Sequence, residues 1–232
     1  MMQVTAIVLA AGKGERLELK VSKPLFKINH QPILIYSLKA LSDHPLIADI
    51  IVVANASNRV KIIAQIKKAR IGKIKAVVLG GRRRQDSVIN GLKAISSKAR
   101  FVLIHDAARP FINKKILSLV INKAVACGAA IPGVPVKATI KEVGSKVVVA
   151  KTLDRSRLWE IQTPQVFSKD LLLKAYKKFG NSVVTDDASL VEKSGRRVAV
   201  VMGSYHNIKI TTAEDLVLAE AIAKQKLKKC LI

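Results

Sequence analysis

Apolar residues fall along this chain in two kinds of block: short runs that are almost continuous, and longer stretches where they recur three and four places apart. The first run, Ala6-Ile7-Val8-Leu9, ends in Ala10-Ala11-Gly12-Lys13-Gly14-Glu15-Arg16-Leu17, the pattern of a buried strand opening into a glycine loop. Leu34, Leu38 and Leu41 predict a helix from Pro32-Ile33 to Leu41. Ile47 to Ala54 reads as a parallel strand covered on both faces. Asn55 to Lys68 reads as a helix with Ser57 or Asn58 as its cap. Ala76 to Leu79 is a third strand, Val88 to Ile95 a helix and Phe101 to Ile104 a fourth strand.

Further along, Asn113 to Cys127 reads as a helix and Gly128 to Val134 as a strand. From Val136 to Leu153, β-formers alternate with Lys and Glu around Gly144-Ser145, which predicts a two-stranded hairpin. Its few large apolar residues cannot fill a core alone, so it reads as an arm that pairs with a second copy of the chain, or as an exposed hairpin. Trp159 to Phe167 returns to the core, and Leu171 to Phe179 and Ala188 to Ser194 read as helices around a polar loop. Val198 to Met202 reads as a strand, and Asn207 to Thr212 leads into a last helix that is acidic at its start and lysine-rich at its tail.

Strand and helix alternating over short links predict an α/β fold, with a mostly parallel sheet and helices on both faces. Ligands bind such sheets beyond the carboxyl ends of the strands. Three of the first four strands end in unusual polar text: the glycine loop, Gly80-Gly81-Arg82-Arg83-Arg84-Gln85-Asp86-Ser87, and His105-Asp106-Ala107-Ala108-Arg109-Pro110. All three ends are expected at one crevice. The chain has no repeat or linker, so residues 1–232 read as a single domain with a β-arm at about 136–155.

Composition narrows the classes. No apolar stretch approaches the ~18 residues needed to cross a bilayer, and the short apolar run leading straight into the glycine loop is unlike a secretory signal. Cys127 and Cys230 are too few and too far apart for a disulfide or metal framework, so a cytoplasmic location is expected. The formal charge of +25 also fits a basic RNA-binding protein. Against that, the lysines are scattered and aromatic residues make up only 4%, so stacking platforms are scarce.

The glycine loop lacks the Ser or Thr of a Walker loop, and Leu17 stands where a dinucleotide fingerprint needs a small residue. The polar strand ends, with Lys23 and Lys209, gather Arg16, Lys23, Arg84, Arg109 and Lys209 around Asp106. Cations around one carboxylate suit a polyphosphate with a divalent metal such as Mg2+; the plainer alternative is that Asp106 caps a turn or pairs with Arg109. Nucleotidyl transfer to a phosphorylated acceptor needs no strong base, because a phosphate monoester has a second pKa of about 6. Positioning and charge stabilisation at the α-phosphate then suffice. On this reading His105 is a structural neighbour of Asp106, and His30, His44 and His206 are structural too.

Six fragments in register, AAGKGERL, GGRRRQDSV, HDAARP, LDRSRLWEIQTPQVF, TDDASLVE and NIKITTAEDL, resemble the 2-C-methyl-D-erythritol 4-phosphate cytidylyltransferases over about Val4 to Ala221. The resemblance implies a Rossmann-like nucleotidyltransferase sheet and transfer of a cytidylyl group from CTP to methylerythritol phosphate, with Mg2+, in a homodimer. It implies that Ala10, Ala11, Gly12, Gly14 and Ala107 line CTP, that Gly81, Arg84 and Ser87 hold cytosine and ribose, and that Lys209 is a phosphate ligand. Arg16 and Lys23 would stabilise the charge at the α-phosphate, and Asp106 would face the metal. Thr139 and Arg155 would grip the acceptor across the dimer interface, with Arg109, Thr163, Thr185 and Asp186 also on the acceptor side. The chain departs from the family pattern at Ser22-Lys23-Pro24, Arg82 and His206. Ribitol 5-phosphate cytidylyltransferases are similar in most of these motifs, and the Ala-Ala-Gly loop start favours the first family.

Overall fold

A computed structural model describes residues 3–12 and 22–230, with side chains as far as residue 225. The chain begins with β1 (Val4–Ala10), a single 3-10 turn at Lys23–Leu25, β2 (Lys27–Ile28), β3 (Gln31–Pro32) and α1 (Ile33–Ser42). It continues through β4 (Ile47–Ala54), α2 (Arg59–Lys68), β5 (Ile74–Leu79), α3 (Arg84–Lys93), β6 (Phe101–Asp106), α4 (Lys114–Cys127) and β7 (Ala129–Pro135). The arm is β8 (Lys141–Val143) and β9 (Val149–Thr152). Then come β10 (Trp159–Ile161), β11 (Gln165–Ser168), α5 (Lys169–Phe179), α6 (Asp187–Lys193), β12 (Ala199–Met202) and α7 (Ala213–Cys230).

The main sheet runs β10-β7-β11-β6-β1-β4-β5, with β12 beside β7. β1 is parallel to both β4 and β6, and β4 to β5. β11 is antiparallel to both β6 and β7, and β10 is antiparallel to β7, so the mostly parallel α/β sheet carries two inverted strands, β11 in its middle and β10 at its edge. Alternation along β1 explains its continuous apolar text. Val4, Ala6, Val8 and Ala10 face a core shared with α1, α2 and α4, while Ile7 faces a second core shared with α3, α5 and α6. Both faces are covered by helices, so every position of the strand is better filled by an apolar side chain. A third, smaller core under α7 joins Ile210, Ala219 and Ile222 to Ile28, Ile33 and Phe111.

Two helix starts differ from the sequence reading by four positions, each for a local reason. α3 begins at Arg84, four positions before Val88, because Asp86 Oδ2 accepts the Arg83 N–H at 2.9 Å and closes the first turn there. α2 begins at Arg59, not Asn55, and neither Ser57 nor Asn58 caps it. Asn58 instead accepts the Asn55 N–H and donates to Ala10 O at 3.0 Å and Ser22 Oγ at 2.9 Å. That side chain ties the end of β1 to Ser22. The strands reach further than expected, β5 from Ile74 and β6 through Asp106.

The arm stands clear of the chain's own core: every residue of β8 and β9 is exposed, as are Val147 and Val148 at the turn. Among the described residues no helix is long and apolar enough to cross a membrane.

α4 carries β7 away from the end of β6, and its start is fixed by Asn113, whose Oδ1 accepts the Ile116 N–H at 2.9 Å. Its end is fixed by Gly128, whose φ of +89° is open to glycine at little cost. Replacing Asn113 with Ala is expected to lower the unfolding free energy by about 1 kcal/mol and Asn113→Ser by much less. Urea denaturation measures this; equal stability of the Ala variant would show that the cap contributes nothing.

Candidate active site

The carboxyl ends of β1, β5 and β6 meet in space. The turns after β1 and β5 touch: a Cβ on Gly80 would lie 2.6 Å from Ala11 Cβ and 2.7 Å from Ser87 Oγ, so only glycine fits. The Gly81 N–H donates to Ser87 Oγ at 3.2 Å, which ties the β5 turn to α3. Asn55 Nδ2 donates to Ala11 O at 3.1 Å, and among the described residues nothing lies within 4 Å of where a Cβ on Gly12 would stand. Ala107 donates its N–H to Leu9 O at 3.1 Å and buries its methyl group, so it extends the β1–β6 ladder by one place.

Asp106 ends β6 and is 8% exposed. Its Oδ2 meets Lys209 Nζ at 2.8 Å and its Oδ1 meets Arg84 Nη2 at 3.4 Å. Burial pushes this carboxyl up, but Arg84 and Lys209 outweigh it and hold the group well below the usual carboxylate range. Arg84 also reaches Asp187, with Nη1 2.8 Å from Oδ2. Burial alone would lower the guanidinium, but Asp187 and Asp106 hold it above its ordinary value. The plainer alternative, a pairing of the Asp106 carboxylate with Arg109, is not what is found: the carboxylate pairs with Arg84 and Lys209. The two cations are engaged with carboxylates, which makes the crevice less positive than a count of its lysines and arginines implies.

Behind Asp106 runs a closed polar chain. Arg109 O can only accept, so the His105 Nε2 at 3.1 Å carries the proton. His105 Nδ1 then accepts the Thr163 hydroxyl at 3.0 Å, and Thr163 Oγ1 accepts the Asp106 N–H at 3.1 Å. Arg109 donates to Asn207 O at 2.7 Å and to Ile161 O at 3.3 Å, and Asn207 Nδ2 donates to Thr163 O at 2.9 Å. Burial, with help from Arg109, pushes His105 down to about 4. It is a neutral imidazole with both nitrogens engaged, a structural residue as expected.

An open crevice of about 180 Å³ is lined by Arg84, Asp106, Arg109, Thr163, Thr185 and Lys209 among others. Asp186 lines it too, but its carboxylate accepts from Ser189 N at 3.0 Å, capping α6, and from Gln165 Nε2 at 2.7 Å. Lys23 opens its short 3-10 turn just beyond the loop. Thr139 and Arg155 do not join the crevice of their own chain. Both are exposed at the root of the arm, where Arg155 donates to Lys137 O at 2.7 Å. Gly14 and Arg16 lie outside the described residues. Sequence reasoning missed Asp187, fully buried, and Asn207, also fully buried; the acidic pair Asp186-Asp187 beside a helix start was the one visible signal.

The donor set at Asp106 fits a hard divalent cation: one carboxylate at a crevice with room for phosphate oxygens and water to complete the coordination. Among the described residues no cluster of three or more His, Cys, Asp or Glu makes a dedicated protein cage, which is the usual situation for Mg2+.

The model of the 2-C-methyl-D-erythritol 4-phosphate cytidylyltransferase family matches residues 4–225. The chain is 48% identical over 227 residues to the enzyme of that name from Syntrophus aciditrophicus (strain SB), covering 97% of each chain. It is 43% identical to that of Alkaliphilus metalliredigens (strain QYMF), over 97% of this chain and 94% of the other. Among solved structures, the 4-diphosphocytidyl-2C-methyl-D-erythritol synthase of Anaerococcus prevotii DSM 20548 is similar at a TM-score of 0.85 and 33% identity, covering 96% of each chain.

The buried histidine gives a pH signature. Its pKa of about 4 in the folded chain lies below the 6.5 of the unfolded one, so the unfolded state binds the extra proton between those values. Stability is therefore complete above pH 6.5 and falls toward pH 4, by about 3 kcal/mol from this residue. His44, lowered by burial and by Lys114 and Lys73, adds to the same slope. The Asp106 contribution has the same sign but is lost only below its unfolded value of 3.8. Urea denaturation at pH 7, 6 and 5 is expected to show the fall, and His105→Asn, whatever its own stability, is expected to flatten it. An unchanged slope in that variant would show that His105 is not the titrating group.

Proposed function

The chain belongs to the 2-C-methyl-D-erythritol 4-phosphate cytidylyltransferase family, and from that premise we propose how its crevice performs the reaction. The activity is CTP-dependent transfer of a cytidylyl group to 2-C-methyl-D-erythritol 4-phosphate, giving CDP-methylerythritol and pyrophosphate for isoprenoid precursor synthesis by the non-mevalonate route. The observation that carries the mechanism is Asp106 at the end of β6 facing Arg84 from beyond the β5 turn and Lys209, with the β1 and β5 turns in contact beside it.

On this reading the β1 turn (Ala10, Ala11, Gly12 and Gly14) and Ala107 line the nucleotide. Gly81, Arg84 and Ser87 take the cytosine and ribose side. Glycine at position 12 carries no side chain, which suits close approach of a phosphate to the backbone. Arg16 and Lys23 stabilise the negative charge that grows on the α-phosphate. Lys209 serves as a phosphate ligand on the Asp106 side, and Arg109, Thr163, Thr185 and Asp186 form the acceptor side of the crevice. The acceptor phosphate attacks as an anion, and the neutral, fully bonded His105 leaves no imidazole nitrogen free to act as a base. Mg2+, held by Asp106 together with phosphate oxygens, would supply charge neutralisation on the triphosphate.

The chain is one domain with an arm. The exposed valines at the arm's tip support a homodimer, and in it Thr139 and Arg155 at the arm's root would reach the acceptor bound to the other subunit. The scarcity of cysteine supports a cytoplasmic enzyme.

Purified protein with CTP and Mg2+ is expected to release pyrophosphate with methylerythritol phosphate and far more slowly with ribitol 5-phosphate. Release with ribitol 5-phosphate alone would change the acceptor. Lys23→Ala and Arg16→Ala are each expected to lower kcat by about 10²–10³; near-normal turnover in either would remove that cation from the charge-stabilising role.

A further inference from the structure

Arg84 approaches the crevice from the first position of α3, but what fixes its direction lies on the other side of the sheet's second core. Asp187 opens α6 and is fully buried. Its Oδ1 accepts the hydroxyl of Tyr176, on α5, at 2.5 Å, and its Oδ2 faces Arg84 Nη1 at 2.8 Å. The other guanidinium nitrogen, Nη2, turns to Asp106. A buried carboxylate with no cation would cost several kcal/mol, so the two groups hold each other in place. The geometry is a line of contacts, Tyr176 to Asp187 to Arg84 to Asp106, that runs from the helix layer to the end of β6.

We propose that Asp187 and Tyr176 are positioning residues for nucleotide binding: neither lines the crevice, and both act by aiming the Arg84 guanidinium along its edge. Tyr176 orients the Asp187 carboxylate, and Asp187 anchors one arm of the Arg84 fork. The second arm is left facing Asp106 and the nucleotide. The acidic pair at the start of α6 is thereby divided between two tasks. Asp186 caps the helix and takes the Gln165 amide, while Asp187 reaches across to α3. An arginine without that anchor has several rotamers open to it, and each bond it makes to a ligand then carries the full entropy of ordering the side chain.

The inference rests on the proposed role of Arg84 in holding CTP, and the test separates the two. Calorimetric titration of the full protein with CTP and Mg2+, with no acceptor present, makes the result independent of acceptor identity. Arg84→Gln is expected to weaken CTP binding by about ten- to a hundredfold, Asp187→Asn by a similar factor, and Tyr176→Phe by about three- to tenfold. The Asp187→Asn, Arg84→Gln double variant is expected to bind no more weakly than Arg84→Gln alone, because the two changes remove one interaction. In turnover the effect is expected in KM for CTP, with KM for the acceptor unchanged.

Tyr176→Phe keeps the shape of α5 and preserves the test should Asp187→Asn fail to fold. Binding by Arg84→Gln equal to wild type would overturn the role of Arg84 and the inference with it. Weak binding by Arg84→Gln beside normal binding by folded Tyr176→Phe and Asp187→Asn would overturn the inference alone. So would losses that add in the double variant, since those would mark a general structural effect.

Discussion

Asp106 is a charged group placed almost out of water at the end of a central strand, and the surroundings of the crevice follow from what that requires. Removing a carboxylate from water costs several kcal/mol unless cations face it. The two that do come from distant parts of the chain, Arg84 from the start of α3 and Lys209 from the stretch before α7. The first can reach only because α3 starts directly after the β5 turn, and that turn can touch the β1 turn only because Gly80 has no side chain. The second can reach because Asn207 is bonded to Thr163 and Gln162, and Ile210 N–H to Ala108 O. The same constraint thus fixes three loops at one rim.

The polar chain from Asp106 through Thr163 and His105 to Arg109 gives this rim its stiffness. Each member bonds to the next, and burial of the histidine in its neutral form makes the arrangement consistent only with one tautomer. A site held this way needs little rearrangement when charge arrives, which is how electrostatic stabilisation of a transition state becomes effective. The crevice therefore presents fixed groups, with Arg84 and Lys209 held on carboxylates and Arg109 on backbone carbonyls.

Much of the fold was legible because burial on both faces of a parallel sheet leaves a plain trace: nearly continuous apolar runs at Ile47 to Ala54 and Phe101 to Ile104, with helices between. The convergence of polar strand ends was legible for the same reason, since topology alone brings carboxyl ends to one edge. What could not be read was decided by single side chains acting over long separations. Arg82 to Gln85 reads as loop text, yet the Asp86 bond to Arg83 N–H starts a helix at Arg84. Asn58 looks like a helix cap, yet its amide reaches Ala10 and Ser22. Asp187 is marked in the sequence only as half of an acidic pair beside a helix start, and the packing of α5 and α6 against the sheet is what reveals Arg84 as its partner.

The most direct test of convergence is a crystal structure of the protein with CTP and magnesium bound. The expected result is a triphosphate lying against the β1 turn at Gly12, with the cytidine end along Gly81, Arg84 and Ser87 and a metal on Asp106. A nucleotide bound elsewhere, with Arg84 and Lys209 still closed on Asp106 and the β1 turn unvisited, would contradict the account.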